Sequence, residues 1–437
     1  MNSTPPSAPL LGWDLAAWRL AAADPSLRST VVGIIEIAGN VDRESLLQSL
    51  NRAVASESVL RSRIVTSTGG PALQEMSDFD VMSVVTFFST DVSVQTVAHD
   101  MARESFEAPL PLWRLACVTK NDSTFIIAAL HHAISDGNGA LILAGHLFDE
   151  SLVIPPEEDP HQSVSEESQS ATATPLQQAL VRTLERAIRD PQGLARDVTS
   201  MLKSISGLIE VPRSSHATEM SERGSEFSYS LFRISKKQVR AAIAGQGVSQ
   251  HDALVASVAK ALYLYHSARG QSLEKIRINV PVALDAQAVA ANNLVVARLE
   301  IDIDESSVAQ LMQRSNAALR SWRQQPALQV AQELVEASRL IPTHILAAAI
   351  KKADATISTM RGLPRMGHVF GSPVVGMWPL VAPVGAAVSV TSMGTGLDIA
   401  MCVSVDEAAV SDVALWNSCL ATSMSEAAGV VLEPMHF

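Results

Sequence analysis

The chain has 437 residues, enough for two or three domains with an ample buried core. Hydrophobic residues make up 47% of it and charged residues 18%, which is a globular composition and excludes a disordered chain. The net charge of −12, with no lysine- or arginine-rich block, argues against nucleic acid and against a basic membrane-binding face. A polyanionic cofactor would therefore need local basic residues at its site.

Strand and helix patterns alternate in the first part of the chain. Residues 30–38 are a β-branched run that predicts a strand buried on both faces. Residues 42–56 carry leucines and a valine on one helical face, with Asp42 as the expected N-cap. An apolar strand at 124–130 leads into two histidines, and 139–148 predicts a short, mostly buried helix.

A polar segment at 155–174, rich in Ser, Glu, Gln and Thr, separates this part from the rest and predicts a linker. An amphipathic helix pair or one long crossover helix is expected at 175–210. Further helices and strands are expected in the second part: helices at 251–267, 306–322 and 328–339, strands at 276–282, 294–303, 386–392 and 398–405. These patterns predict an α/β protein with an N-terminal lobe (1–154), a linker with crossover helices (155–224) and a C-terminal lobe (225–437), each lobe with its own sheet.

The long uncharged stretch between His368 and Asp398 raises the question of a membrane span. Three prolines and three glycines interrupt it, so buried strands and turns are expected instead of one helix, with a loop seated against a membrane surface as the alternative. The N-terminus lacks the basic region of a signal peptide. Three scattered cysteines predict neither a disulfide framework nor a zinc site. We expect a cytoplasmic protein that is not integral to a membrane.

The main chemical signal is His-His-Ala-Ile-Ser-Asp-Gly at 131–137. Successive strand residues point to opposite faces, so His131 and His132 cannot converge on one metal ion, and no metal site is predicted. One ring should face a cleft and the other the interior. A cleft-facing His132 could take the proton of an attacking hydroxyl or amine and return it to a leaving thiolate. No Gly-x-Ser-x-Gly elbow is present, so no covalent acyl-enzyme is predicted.

The two residues that close the motif are expected to be structural. Asp136 is predicted to pair with an arginine and fix the loop, and Gly137 to occupy a position that a side chain would obstruct. The alternative interpretation of the whole motif is a pair of core histidines followed by an Asp-Gly turn.

This motif resembles that of the HHxxxDG acyltransferase superfamily, which includes chloramphenicol acetyltransferase, plant BAHD acyltransferases and peptide-synthetase condensation domains. Other segments, in order along the chain outside the linker, resemble the bacterial wax ester synthase/diacylglycerol acyltransferase group. They are Leu60-Arg61-Ser62-Arg63, Phe79-Asp80, Pro111-Leu112-Trp113-Arg114, His251-Asp252-Ala253-Leu254 and Val280-Pro281-Val282-Ala283-Leu284.

The resemblance implies two chloramphenicol-acetyltransferase-like lobes, each a mixed sheet with flanking helices, and an active-site channel between them. It implies an acyltransferase with acyl-CoA as co-substrate, a small-molecule acceptor and no bound cofactor. Two alternatives stay open: a donor carried on the phosphopantetheine of an acyl carrier protein, and a non-catalytic binding or scaffold protein of the same fold.

Three departures from the group's pattern concern the C-terminal lobe. His251 replaces an asparagine, Asp285 replaces an arginine, and the segment 359–364 replaces Asn-Val-Pro-Gly-Pro. Because charged groups beside an alkyl chain are costly, these changes predict an acceptor smaller or more polar than a long-chain alcohol or diacylglycerol. Because Asp285 stands where the group has arginine, the arginine partner of Asp136 is expected elsewhere, with Arg298 as the first candidate and Arg277 as the second.

The remaining candidates for substrate binding carry weaker signals. Trp113 is expected to be a core anchor near the channel, and His251 either a neighbour of a helix N-cap or a channel-lining group. Asp252 should support the start of its helix. The strand hydroxyls of Ser389, Thr391 and Ser392 are candidate donors to an oxyanion, or ordinary strand hydroxyls.

Overall fold

The structure is a computed structural model that describes residues 7–67, 70–88, 91–106, 110–150, 222–283, 294–324, 342–363, 365–429, 431–435 and 437. The predicted linker and crossover helices, the predicted helix at 328–339 and Asp285 lie outside these residues.

The helices of the described part are α1 (Gly12–Ala23), α2 (Arg43–Ser56), α3 (Val94–Arg103), α4 (Gly137–Ala144), α5 (Lys236–Ile243), α6 (Gln250–Ala268), α7 (Val308–Gln324), α8 (Thr343–Ile350) and α9 (Val413–Ala428). The strands are β1 (Ser7–Pro9), β2 (Thr30–Ala38), β3 (Ser62–Ser67), β4 (Gly70–Glu75), β5 (Val85–Phe88), β6 (Trp113–Lys120), β7 (Ser123–His131), β8 (Phe227–Ser235), β9 (Lys275–Ala283), β10 (Leu294–Asp302), β11 (Ala355–Leu363), β12 (His368–Val369), β13 (Ser372–Val381), β14 (Val388–Thr395) and β15 (Asp398–Asp406).

The N-terminal lobe is built on a six-stranded mixed sheet in the order β12-β13-β2-β7-β6-β5. Its centre is the antiparallel pair β2 and β7, in which Thr30 lies opposite His131. The β-branched and apolar residues of both strands are almost all buried, as the sequence predicts for central strands. The helix after β2 begins where expected, because the Asp42 carboxylate accepts a hydrogen bond from the Ser45 amide at 2.9 Å.

The C-terminal lobe has a second six-stranded mixed sheet, in the order β10-β9-β11-β14-β15-β8. Strand β11 runs parallel to its neighbours β9 and β14, while the other pairs are antiparallel. Helix α6 is buried along most of its length against one face of this sheet. The two mixed sheets with flanking helices confirm the predicted fold class.

Strand β13 joins the two lobes. It follows β11 in the chain, yet it pairs antiparallel with β2 of the other sheet, with Trp378 opposite Ile34. Residues of the C-terminal lobe therefore complete the N-terminal sheet, and the uncharged stretch forms strands and turns as predicted.

A second contact between the lobes is made by α3 and the edge strand β8. The Tyr229 hydroxyl of β8 donates to the Gln95 carbonyl of α3 at 2.8 Å. The ring of His99 lies 6.2 Å from the Tyr229 ring, and its Nε2 lies 2.8 Å from the Phe227 carbonyl oxygen. Among the described helices, none combines the length and apolar character needed to cross a membrane.

Candidate active site

The first histidine of the motif, His131, is sealed inside the N-terminal lobe. Its side chain is 3% exposed, with its ring 5.5 Å from the Trp18 ring and 5.9 Å from the Phe106 ring, edge to face. Its Nδ1 accepts a hydrogen bond from the Ala133 amide at 2.9 Å. Burial, together with the neighbouring His132, lowers the His131 pKa to about 3. The ring is therefore neutral at physiological pH and holds the chain where β7 ends.

The second histidine, His132, lies one residue beyond β7 and is partly exposed. Its backbone N–H donates to the Ser29 carbonyl at 2.8 Å, and Ser29 directly precedes β2. This bond extends the β2–β7 pairing by one step and fixes the main chain of His132. The two histidines thus lie in different environments, and no metal-binding group of three or more His, Cys, Asp or Glu side chains occurs within the described ranges.

Asp136 caps helix α4, and within the described residues it lacks the arginine partner that the sequence predicts. Its carboxylate accepts a hydrogen bond from the Gly139 amide at 2.8 Å, and no arginine among the described residues forms an ion pair with it. The physical reason is local, since the open amides at the start of a helix satisfy a carboxylate without a distant partner.

The two arginines expected to pair with Asp136 lie in a different charge cluster. Arg277 Nε is 3.5 Å from a Glu300 carboxylate oxygen, and Arg298 Nε donates to Asn279 at 3.3 Å. Burial and the positive charge of the nearby Arg277 lower the pKa of Arg298. The negative charges of Glu300 and Asp354 act in the opposite direction and offset part of this lowering.

Gly137, the first residue of α4, brings the motif into contact with the C-terminal lobe. A Cβ atom on Gly137 would lie 2.8 Å from Met360 Cε of β11, so the expected obstruction is present and comes from Met360. The next residue, Asn138, has a buried Oδ1 for which the described residues provide no hydrogen-bond partner. The motif therefore lies at the boundary between the lobes.

Three of the family-like segments of the N-terminal lobe meet at Trp113. This side chain is 4% exposed, and its Nε1 donates to the Leu60 carbonyl at 2.6 Å. The Phe79 ring lies 6.3 Å away. Trp113 is therefore a core anchor, as expected, and the segments around Leu60, Phe79 and Trp113 form one packed unit.

His251 forms a polar cluster with Thr359 and Ser392. His251 Nδ1 lies 2.8 Å from Thr359 Oγ1, and the Ser392 hydroxyl donates to the same oxygen at 3.3 Å. Thr359 and Met360 are adjacent on β11 and so project to opposite faces. The cluster therefore lies on the α6 side of the sheet, while Met360 faces the motif.

Asp252 supports the start of α6, as expected. It is 2% exposed and forms a capping box with Ser249, and its carboxylate also accepts from Asn316 Nδ2 at 2.9 Å. The Asp252 carboxylate therefore forms hydrogen bonds that stabilise the start of the helix.

Ser389 and Thr391 are separated from Ser392 by the alternation of β14. All three are buried, but the apolar residues Val388 and Val390 on the Ser392 side pack in the C-terminal core. Ser389 and Thr391 project to the other face, toward the N-terminal lobe. The three hydroxyls thus do not form one group of donors.

The cysteines offer no alternative nucleophile near neutral pH. All three are buried and free, and burial raises the pKa of Cys117 to about 11 and that of Cys402 to about 12.

His146, on the turn after α4, lies 3.3 Å from a Glu57 carboxylate oxygen and is packed between elements.

The sequence alone did not identify Ser29, Asn138 or Met360 as residues of the candidate site. Asn138 directly follows the motif, and a polar side chain beside a turn signal could have drawn attention to it. Ser29 and Met360 reach the motif through long-range pairing that a single sequence does not reveal.

Comparison with known proteins finds sequence similarity to acyltransferases. Residues 291–427 match the family described as the WS/DGAT C-terminal domain. Two curated proteins from Mycobacterium tuberculosis strains H37Rv and CDC 1551, provisionally named diacylglycerol O-acyltransferases, are 23% identical to the chain. Each alignment covers 92% of this chain and 88% of the relative.

Solved structures share the fold at low sequence identity. The wax ester synthase/diacylglycerol acyltransferase from Marinobacter aquaeolei VT8 superposes with a TM-score of 0.63 at 15% identity, covering 97% of this chain and 100% of that one. The starter condensation domain of rhizomide synthetase, solved with C8-CoA and Leu-SNAC, gives 0.61 at 14% identity, covering 98% and 96%. Polyketide synthase associated protein 5 from Mycobacterium tuberculosis gives 0.59 at 16% identity, covering 96% and 100%.

These matches confirm the resemblance inferred from the motifs. The chain has the two-lobed fold shared by wax ester synthases and condensation domains. It is similar in sequence to proteins of the wax ester synthase/diacylglycerol acyltransferase family, and the matches support an acyltransferase.

Proposed function

We propose that the protein transfers an acyl group from a thioester, acyl-CoA in the first instance, to a hydroxyl or amine, with His132 as the general base. The observation that carries this proposal is the division of labour between the adjacent histidines. His131 is buried with its pKa lowered to about 3, while His132 is partly exposed and has its main chain fixed by Ser29. A histidine in the second kind of environment is suited to exchange protons with a substrate.

The proposed reaction needs one proton carrier. As the acceptor oxygen or nitrogen attacks the thioester carbonyl, a ring nitrogen of His132 takes its proton. The tetrahedral intermediate then collapses, the carbon–sulfur bond breaks, and the imidazolium returns the proton to the leaving thiolate. The products are an ester or amide and a free thiol, and positioned proton transfer of this kind contributes on the order of 10²–10⁴ in rate.

The neighbouring residues would hold the base in place. Asp136 and Gly137 set the start of α4 directly after the histidine loop, and Met360 closes that loop from the C-terminal lobe. Ser389 and Thr391 stay candidates for oxyanion donation, because they face the N-terminal lobe. His251 and Ser392 would act only at a distance, through Thr359.

The donor is the point on which the two enzymatic alternatives differ. The C8-CoA held by a condensation domain of the same fold supports acyl-CoA for this chain. A donor on a carrier protein uses the same pantetheine thioester and the same base.

The proposal is tested by incubating the purified protein with palmitoyl-CoA or octanoyl-CoA and a panel of alcohols and amines. Thiol release and mass spectrometry of the products report the reaction. Acceptor-dependent release of CoA supports the proposal. Turnover only with an acylated carrier protein identifies the alternative donor, and the absence of turnover with either donor favours a non-catalytic role.

A further inference from the structure

A cavity of about 660 Å³ lies between the N-terminal lobe and the start of β8. Its walls come from the 3₁₀ turn at Pro25–Leu27, one side of α3, the β5–β6 edge and residues 224–227. His132 is not among the residues that line it. The cavity therefore does not include the proposed catalytic base.

Most charged side chains in this cavity have local partners. Arg103 pairs with Glu226 across the lobe boundary, and Arg114 Nε lies 3.4 Å from a Glu104 carboxylate oxygen. The Asp406 carboxylate accepts hydrogen bonds from the Gly224 and Ala408 amides, each at 2.9 Å.

Arg28 differs from these groups. Its Nη1 donates to the Arg103 carbonyl at 3.2 Å, which leaves most of the five guanidinium N–H donors for other acceptors. Within the part of the chain that the structure describes, no carboxylate forms an ion pair with Arg28, although the cavity wall contains four acidic residues. Arg28 therefore offers a cavity-facing positive charge that is not neutralised by one of these carboxylates.

Arg28 is also close to the proposed base in space, across the pairing of β2 with β7. It precedes Ser29, whose carbonyl accepts the His132 amide at 2.8 Å. With standard backbone dimensions, the Cα atoms of Arg28 and His132 are then at most about 11 Å apart. Arg28 and His132 are therefore close enough for one ligand with a flexible pantetheine arm to contact both side chains.

We propose that this cavity binds the phosphate-bearing end of the pantetheine donor and that Arg28 holds a phosphate. This proposal depends on the proposed function for the identity of the donor as a thioester. It adds the place where the phosphate of that donor binds. A guanidinium binds phosphate through a planar pair of N–H donors. Because the net charge of −12 gives a polyanion no long-range attraction, a local cation is needed, and Arg28 supplies it. The phosphate can belong to CoA or to the phosphopantetheine of a carrier protein.

Binding measurements on the full chain test the site without relying on turnover. Calorimetric titration with CoA, 4′-phosphopantetheine and pantetheine is compared for wild type, Arg28→Ala and Arg28→Lys. We expect Arg28→Ala to weaken a phosphate-bearing ligand by about tenfold or more, because a lost charge-assisted hydrogen bond has that effect. Pantetheine should bind equally to all three proteins, and Arg28→Lys should recover part of the affinity.

The matched control is Arg52→Ala, which removes an exposed arginine of α2 whose Nη2 donates to the Ser49 hydroxyl. Its affinities should equal those of wild type. An effect of Arg28→Ala on both CoA and phosphopantetheine assigns the shared phosphate, whereas an effect on CoA alone assigns the nucleotide phosphates and favours a CoA donor.

Equal affinity of wild type and Arg28→Ala for all ligands overturns the proposal, as does an equal loss for pantetheine. If Arg28→Ala has a general folding defect, its melting temperature will be lower than that of wild type. In that case the affinity of Arg28→Lys for the phosphate-bearing ligands tests the proposal instead. If the protein binds CoA through Arg28 but transfers no acyl group, the site stands and the proposed function fails.

Discussion

The backbone amide of His132 and the carbonyl of Ser29 form a hydrogen bond of 2.8 Å that continues the pairing of β7 with β2 beyond the last residue of β7. This bond fixes the main chain of His132 at a point where the strand has ended. The adjacent His131 ring is held in the core by Trp18 and Phe106. Two neighbouring residues of the same type therefore have different physical roles, which leads to separate predictions for each.

His131 should make the folded state sensitive to acid. Its pKa is lowered from 6.5 to about 3, so between these values the unfolded chain binds a proton that the folded chain does not. This contribution to stability is complete above pH 6.5 and is lost as the pH falls toward 3, with a slope of up to about 1.4 kcal/mol per pH unit. His131→Asn keeps an acceptor for the Ala133 amide but cannot titrate, so its unfolding free energy should fall less between pH 6.5 and pH 4. Parallel curves from denaturant titrations of the two proteins would contradict the assignment.

Asp136 should act as a helix cap and not as an ion-pair partner. Asp136→Ala removes the acceptor for the Gly139 amide and should lower the unfolding free energy by about 1 kcal/mol. Asp136→Asn keeps a capping oxygen without the charge, so we expect it to melt close to wild type. If Asn were as damaging as Ala in thermal melts, a role for the negative charge would be indicated instead.

Gly137 and Met360 should be coupled energetically across the lobe boundary. Gly137→Ala places a methyl group 2.8 Å from Met360 Cε, and the Met360 side chain must move to accommodate it. We expect a loss of about 1 kcal/mol in stability, because the atom that must move first is the flexible end of the Met360 side chain. Met360→Ala removes the obstructing atoms, so the double variant should lose less than the sum of the two single variants. Strict additivity in a double-mutant cycle would show that the contact has no energetic effect.

The acceptor should be smaller or more polar than a long-chain alcohol. This prediction rests on the departures from the sequence pattern of the wax ester synthase group, in which asparagine is usual at the position of His251. In the structure the His251 ring contacts Thr359 on the α6 side of the sheet. We expect polar alcohols or amines to exceed hexadecanol and diacylglycerol in turnover with palmitoyl-CoA. Equal or better conversion of the two lipid acceptors, measured as product by mass spectrometry, would show this prediction to be wrong.

Local signals were sufficient for the elements that carry the motif. The β-branched run predicts β2 at its observed bounds, and Asp42 caps the following helix as expected. Strand alternation also predicts that the His131 and His132 rings lie in different environments, as they do. The path of β13 was not predictable in the same way, because its pairing with β2 joins distant parts of the chain. The expected arginine partner of Asp136 was wrong, since the open amides of α4 satisfy that carboxylate locally.

The central claim is that His132 is the base for acyl transfer. The most direct measurement is the single-turnover rate of CoA release from acyl-CoA with the best acceptor, for wild type and His132→Ala. Matched controls are His131→Asn and His146→Ala, the latter a partly exposed histidine beside Glu57. We expect His132→Ala to lower the rate by about 10² or more without a change in melting temperature, while His146→Ala stays near wild type. A His132→Ala protein that retains its rate, or equal losses for the His131 and His132 variants in proteins that melt like wild type, would contradict the account.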